Sequence, residues 1–252
     1  MKKSICLMAA VLFMAAGQVF GAPWTNFTDG GTYNINYLAN NWVRLDYQTP
    51  GMQTTVNMLD GGSIGFYLAT YQNSQANIYG GYVYNLAAND SSKVTMSGGS
   101  VGDSLYAHDS SQVTISGGSV AHGLSADNSS QVTMSGGSVE LLYANDSSHV
   151  NWSGGIIAFD SYPIMLDGQA ILTIIGSDFA INGNPFGYGE ITSILGGGYS
   201  GESLRTLTGT LANGDIINNQ FQIGDYASIT LVPEPATLLL LGLGAVIARS
   251  KR

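Results

Sequence analysis

Between residues 88 and 157, apolar and polar side chains alternate in short bursts that return at a fixed interval. Val94-Thr95-Met96-Ser97, Val113-Thr114-Ile115-Ser116 and Val132-Thr133-Met134-Ser135 each place an apolar residue at every second position, the signature of a strand with one buried face. A second apolar pair recurs at the same offset as Leu105/Ala107, Leu124/Ala126 and Leu142/Ala144. A third inward position follows at Val101, Val120 and Val139. Between the bursts stand Asp-Ser-Ser and Gly-Gly. Asp and Ser close turns through side-chain hydrogen bonds and Gly accepts positive φ, so both read as corners.

The interval is 19 residues, shrinking to 18: the first glycines of the Gly-Gly pairs fall at 61, 80, 98, 117, 136 and 154. Three short strands and three corners per repeat predict one coil of a parallel β-helix, an all-β solenoid. Helical repeats need about 33 residues or more, rich in helix formers, and the repeat here has neither property. Stacked strands place equivalent positions about 4.8 Å apart. Val94, Val113, Val132 and Val150 should therefore form one internal column, and Met96, Ile115, Met134 and Trp152 another. We expect a right-handed coil, because the hexapeptide pattern of left-handed β-helices is missing. Residues 22–174 read as the solenoid, with irregular first coils over 24–59 covering the open end and a last coil at Asp167 to Ile174. Residues 175–231, short β-prone runs between Gly and Asn turns, read as a small β cap.

The two ends of the chain follow other patterns. Lys2-Lys3, the apolar run Ile5 to Ala16 and then Val19-Phe20-Gly21 have the order of a secretory signal peptide over 1–21, with the Sec export machinery as the implied partner. Cys6, the one cysteine, lies in this segment, which leaves the mature chain without disulfides or thiolate ligands. At the other end, Val232-Pro233-Glu234-Pro235 precedes an apolar run from Ala236 to Ala248, closed by Arg249-Ser250-Lys251-Arg252. As a helix that run spans about 20 Å, short of the roughly 30 Å hydrocarbon core. Such a hydrophobic helix suits transient membrane insertion, with the basic end held in the cytoplasm. Val232, Pro233, Glu234 and Pro235, together with Arg249, Lys251 and Arg252, closely resemble the PEP-CTERM sorting signal, over residues 232–252. The resemblance implies a bacterial protein exported to the cell surface or extracellular matrix and handled by an exosortase-type membrane protease. The body resembles secreted β-helix proteins carrying such tails, through its repeated Ser-Gly-Gly corners.

Composition narrows the functional classes. The 252 residues hold 8 Lys+Arg against 17 Asp+Glu, and only 10% are charged, far below the roughly 25% of an ordinary domain. Lys2, Lys3, Arg249, Lys251 and Arg252 sit at the ends, so Arg44, Lys93 and Arg205 are the body's only cations. Binding of nucleic acid needs clustered cations, and the chain does not supply them.

Candidate chemistry is thin. His108, His122 and His149 occupy three different repeat positions, His122 in a loop, which does not support a zinc site. Asp90, Asp109 and Asp146 share one column, with Asn128 in the third coil and Asp127 beside it. Calcium would relieve the repulsion of stacked carboxylates, but the Gly-Gly-x-Gly-x-Asp nonapeptide is missing, and turn capping is the preferred reading. Paired acids on a β-helix also suggest a polysaccharide hydrolase or lyase, yet coils this short leave no long loops to wall a substrate. Tyr71, Tyr79, Tyr82, Tyr84, Tyr106 and Tyr143 are candidates for a sugar-stacking stripe, weighed against aromatic ladders that merely cover a sheet. The leading expectation is an exported, non-catalytic structural or adhesive β-helix without a cofactor. The alternatives are a module that binds extracellular polysaccharide and, behind it, a carbohydrate-active enzyme.

Overall fold

A computed structural model describes residues 24–234, except 40, 159–163, 193–203 and 225. Every regular element among the described residues is a β-strand, and the strands wind into a solenoid of about eight turns with a coil of about 19 residues. Each coil has three faces. The first face stacks β1 (Trp24–Phe27), β4 (Trp42–Leu45), the ends of β6 (Ser63–Thr70) and β8 (Tyr82–Ala88), and β11 (Ser104–Ala107). It continues through the ends of β13 (Ser119–Ala126) and β14 (Gln131–Ala144), then β16 (Ile164–Leu166) and the end of β21 (Ile216–Ile223). The second face runs from β2 (Thr32–Ile35) through β5 (Thr55–Met58), β7 (Gln75–Ile78), β9 (Lys93–Met96) and β12 (Gln112–Ile115). It goes on to the start of β14, then β15 (His149–Ile157), β17 (Ile171–Ile181) and β22 (Ser228–Pro233). The third face is shorter, from β3 (Leu38–Ala39) through β10 (Ser100–Val101) to the end of β15. All these pairings are parallel.

The alternation in the sequence sets this register. Val94, Val113, Val132 and Val150 pair in succession, as do Met96, Ile115, Met134 and Trp152, and all eight side chains are buried. One continuous apolar core follows from Ile35 to Leu231. Its first coil ends in an aromatic plug: the inward Phe27 and Tyr33 rings pack 4.1 Å apart, partly buried over the mouth of the tube.

Two kinds of corner hold the coils. At the Gly-Gly corner, Gly118 has φ +83°, and a Cβ there would lie 2.6 Å from the carbonyl oxygen of Gly98 one coil earlier. Only glycine satisfies both the backbone angle and the contact. At the acidic corner, Asp90, Asp109, Asn128 and Asp146 all adopt left-handed φ of 56–57°, which Asp and Asn tolerate best among side-chain-bearing residues. Each side chain then accepts a backbone N–H from the coil before it. Asp90 Oδ2 takes Gln72 N–H at 2.9 Å, Asp109 Oδ2 takes Asp90 N–H at 3.0 Å, and Asn128 Oδ1 takes Asp109 N–H at 3.1 Å. Asp146 Oδ2 continues the ladder, 3.2 Å from Asn128 N. The second serine of each Asp-Ser-Ser turns inward, so Ser92, Ser111, Ser130 and Ser148 form a fully buried file beside the ladder.

Stacking does not stop at residue 174. Within the 175–231 segment, β17 runs on to pair antiparallel with β18 (Asn184–Pro185) and β20 (Arg205–Leu211), and β20 turns back into β21. This flap lies against the end of the third face, where Asn219 Nδ2 donates to the Ile157 carbonyl at 2.8 Å. The chain then rejoins the solenoid: β21 lies parallel to β16, and β22 lies parallel to β17 with Leu172 opposite Ile229 and Ile174 opposite Leu231. The antiparallel β19 (Gly189–Thr192) covers the outer edge of β22, a common way to blunt a solenoid's last strand.

Candidate functional site

Coils of 18 and 19 residues must be reconciled somewhere, and the register shows where. Val120 pairs with Val139 and Gly123 with Leu141, so two residues, Ala121 and His122, stand opposite the single Glu140. His122 therefore lies in a bulge within β13 and not in a loop. Bulges re-aim neighbouring side chains. Here His122 Nδ1 comes to 3.2 Å from Asp103 Oδ1, at one end of an open-sided groove on the first face.

The groove has a volume of about 560 Å³, within the 300–1,000 Å³ of small-ligand pockets. Its walls come from one outward column, in which Tyr106 pairs with Ser125 and Ser125 with Tyr143. The short serine leaves a gap between two tyrosines two coils, or about 9.6 Å, apart. Gly123, paired with Ser104 on one side and Leu141 on the other, completes the floor. Its nearest neighbours to an added Cβ are Leu141 Cδ2 at 3.8 Å and Ser104 Oγ at 3.9 Å, ordinary contacts, and its φ is not left-handed. Glycine inside a strand costs roughly 0.5–1 kcal/mol relative to alanine. Unlike Gly118, Gly123 meets no packing or backbone demand; what its missing side chain provides is depth.

Polar groups close both ends. Beyond Tyr106, whose ring lies nearly parallel to that of His108 at 5.7 Å, His108 Nδ1 is 3.3 Å from Asp127 Oδ2, and Ser125 Oγ donates to the same Asp127 oxygen at 3.0 Å. Serine and histidine thus meet at the carboxylate. A nucleophilic triad needs the imidazole between the hydroxyl and the acid, and this network has the acid in the middle. Nor do the acids form a glycosidase pair. Asp103 and Asp127 flank opposite ends of the paired strands, about 16 Å apart at 3.3 Å per residue, against 5–9.5 Å for the two carboxyl groups of that chemistry. His149 lies on the second face, in register with Gln131 and Ile171. Among the described residues no three His, Cys, Asp or Glu side chains gather as a metal site.

The six tyrosines do not make one stripe. Tyr106 and Tyr143 share the groove, whereas Tyr79, Tyr82 and Tyr84 are exposed on and beside the third face and Tyr71 packs on Tyr47. A different aromatic cluster, unforeseen from the sequence, sits on the first coils: Trp24, Trp42 and Tyr67 stack outside the first face, with the Arg44 guanidinium 3.5 Å from the Trp24 ring and 4.4 Å from that of Tyr47. Burial pushes the Tyr67 hydroxyl up to about 12. Arg44 belongs to the first face, Lys93 to the second and Arg205 to the flap, so the cations do not gather into a patch among the described residues.

The sorting residues stand at the other end. Val232 and Pro233 are the last residues of β22, opposite Ile175 and Gly176. Proline, which has no N–H to give the ladder, is tolerated at such a strand end. Glu234 follows directly, whereas Pro235, Arg249, Lys251 and Arg252 lie outside the described residues, as do residues 1–21, expected to be a signal peptide, and the apolar run 236–248. Among the described residues no helix is long and apolar enough to cross a membrane.

A parallel β-solenoid that ends in Val-Pro-Glu-Pro defines a class of repeat protein sorted by its C-terminus. Comparison with known families bears this out: the PEP-CTERM protein-sorting motif matches residues 231–252, so the chain carries that motif and its β-helix body precedes it. No curated protein and no solved structure matches the chain. The motif implies export to the cell envelope or surface and processing by exosortase, a membrane protein.

Proposed function

We propose that the protein is a non-catalytic structural or adhesive element of the cell surface, a rigid prism whose side faces are presented to the surroundings. The observation that carries this reading is the join between body and tail. The sorting motif begins on the last strand of the stack, with Val232 and Pro233 still in register with β17. No linker intervenes, so the solenoid stands directly on the segment handed to the membrane protease. Its length, eight steps of about 4.8 Å, is roughly 38 Å. On this reading the 1–21 leader brings the chain to the Sec machinery and the 236–248 run inserts transiently in the membrane.

The test replaces Pro233, Glu234 and Pro235 together with alanine and follows the protein by fractionation and by protease shaving of intact cells. Wild-type protein should be cut by the external protease, and the variant should accumulate unprocessed in the membrane fraction. Unchanged processing and surface exposure of the variant would overturn the sorting step. A second reading, a module for extracellular polysaccharide, is favoured by one observation, the tyrosine-walled groove on the first face.

A further inference from the structure

Within the second reading, on which this inference rests, the geometry points to one site and one ligand class: we propose that the groove between Tyr106 and Tyr143 holds a single ring of a neutral hexopyranose glycan. Three features select that chemistry. The walls are aromatic and the floor is Gly123 and Ser125, which suits a ligand with an apolar C–H face and a polar edge. A ring in van der Waals contact with a wall on each side needs about 7–8 Å at carbon separations of 3.5–4.0 Å. The two-coil spacing of about 9.6 Å admits one such ring and not two.

The ends of the groove supply the polar partners. Ser104 and Ser125 offer hydroxyl groups, and the His122–Asp103 and His108–Asp127 pairs stand where ring hydroxyls would project. Asp103 is in the lining and Asp127 borders it, while no lysine or arginine lines the groove, so a uronate or phosphate group would find neither of those cations to pair with. Both acids are already engaged by histidine, which leaves the hydroxyl-bearing neutral sugar as the fitting occupant. The bulge at His122 and the otherwise unneeded glycine at 123 are the local departures from the repeat that create the space.

The test uses the full chain, its tail held in zwitterionic micelles, in calorimetric titrations with neutral gluco-, galacto- and manno-oligosaccharides and with oligogalacturonates. Gly123→Val raises the floor, and Ser125→Tyr closes the gap by making the tyrosine column continuous. Each should weaken neutral-sugar binding at least tenfold without lowering the melting temperature, and Tyr106→Ala should weaken it likewise if either filled variant misfolds. Tyr226→Ala, at an exposed position outside the groove, should bind as wild type. Wild-type affinity in all three groove variants would overturn the site while the glycan reading stands. Absence of binding to any neutral sugar by the wild type would overturn both, and stronger binding of the galacturonates would overturn the ligand class.

Discussion

Replacing Val113 with aspartate tests the stacked core at its centre. Val113 is 1% exposed and lies in the apolar column between Val94 and Val132, and no lysine, arginine or histidine is among the buried described residues to hold a carboxylate ionised. Loss of the buried valine costs about 2 kcal/mol. Keeping the new carboxyl neutral at pH 7, against an ordinary value near 3.9, costs about 4 kcal/mol more at 1.36 kcal/mol per unit. The sum, about 6 kcal/mol, is comparable with the whole stability of many domains. Because each coil contacts only its neighbours, the loss should concentrate in the coils carrying residues 94, 113 and 132. Hydrogen exchange with peptide-level mass spectrometry reads this directly: protection should fall across residues 88–139 and persist near β5 and β22. The sign with pH is fixed as well. A carboxyl whose folded pKa is raised is tolerated below the unfolded value and penalised as pH rises, so the deficit should shrink toward pH 4. Thr114→Asp, one residue on but outward and exposed, should lie within about 0.5 kcal/mol of wild type. Equal melting curves for the two variants would refute the inward column.

Two further outcomes follow from the corners and the first coils. Asp109→Asn should leave stability within about 0.5 kcal/mol, since Asn128 already makes the same bond one coil on. Asp109→Ala should cost about 2 kcal/mol by losing that acceptor and placing alanine at φ 57°. If the column caps turns and holds no calcium, thermal melts with and without chelator should coincide; a chelator-induced drop would contradict the ladder. Tyr67, with its hydroxyl raised to about 12 by burial, favours the protonated folded state. Its contribution is complete below about pH 10 and is lost between pH 10 and 12. Tyr67→Phe should therefore flatten the stability profile across that window, as read by alkaline unfolding, and an unchanged slope would refute the burial.

The repeats made the middle of the fold legible. Val94-Thr95-Met96 and its copies state which side chains face inward, and the Gly-Gly spacing states the coil length, because each such unit is bounded by chemistry that only a tight corner demands. The C-terminal part does not repeat those markers at the coil interval. Ser228 pairs with Ile171 across 57 residues, and neither Gly-Gly nor Asp-Ser-Ser marks the return, so the continued stacking of β21 and β22 could not be told from a separate cap. The inward file of Ser92, Ser111, Ser130 and Ser148 was hidden for a different reason: serine at a turn reads as solvated, and only the coil's tight corner turns it into the core. The groove was invisible because it is made of absences. Nothing in a single copy of the repeat says that Ser125 falls between Tyr106 and Tyr143, or that Gly123 is free of packing constraints. What the sequence did carry was the signal for it, a glycine away from every corner and an extra residue at His122.

The stacking itself is most directly tested by distances between spin labels on the outward column of the second face, where Asn34, Asn57, Asn77, Thr95, Thr114, Thr133, Asn151, Thr173 and Thr230 succeed one another. With one label on Thr230 and the other moved from Asn34 to Asn57 to Asn77, eight, seven and six steps of about 4.8 Å predict separations near 38, 34 and 29 Å. A uniform decrement of one strand spacing per coil is the expected result. Separations that fail to shrink in equal steps would contradict the solenoid and the functions built on it.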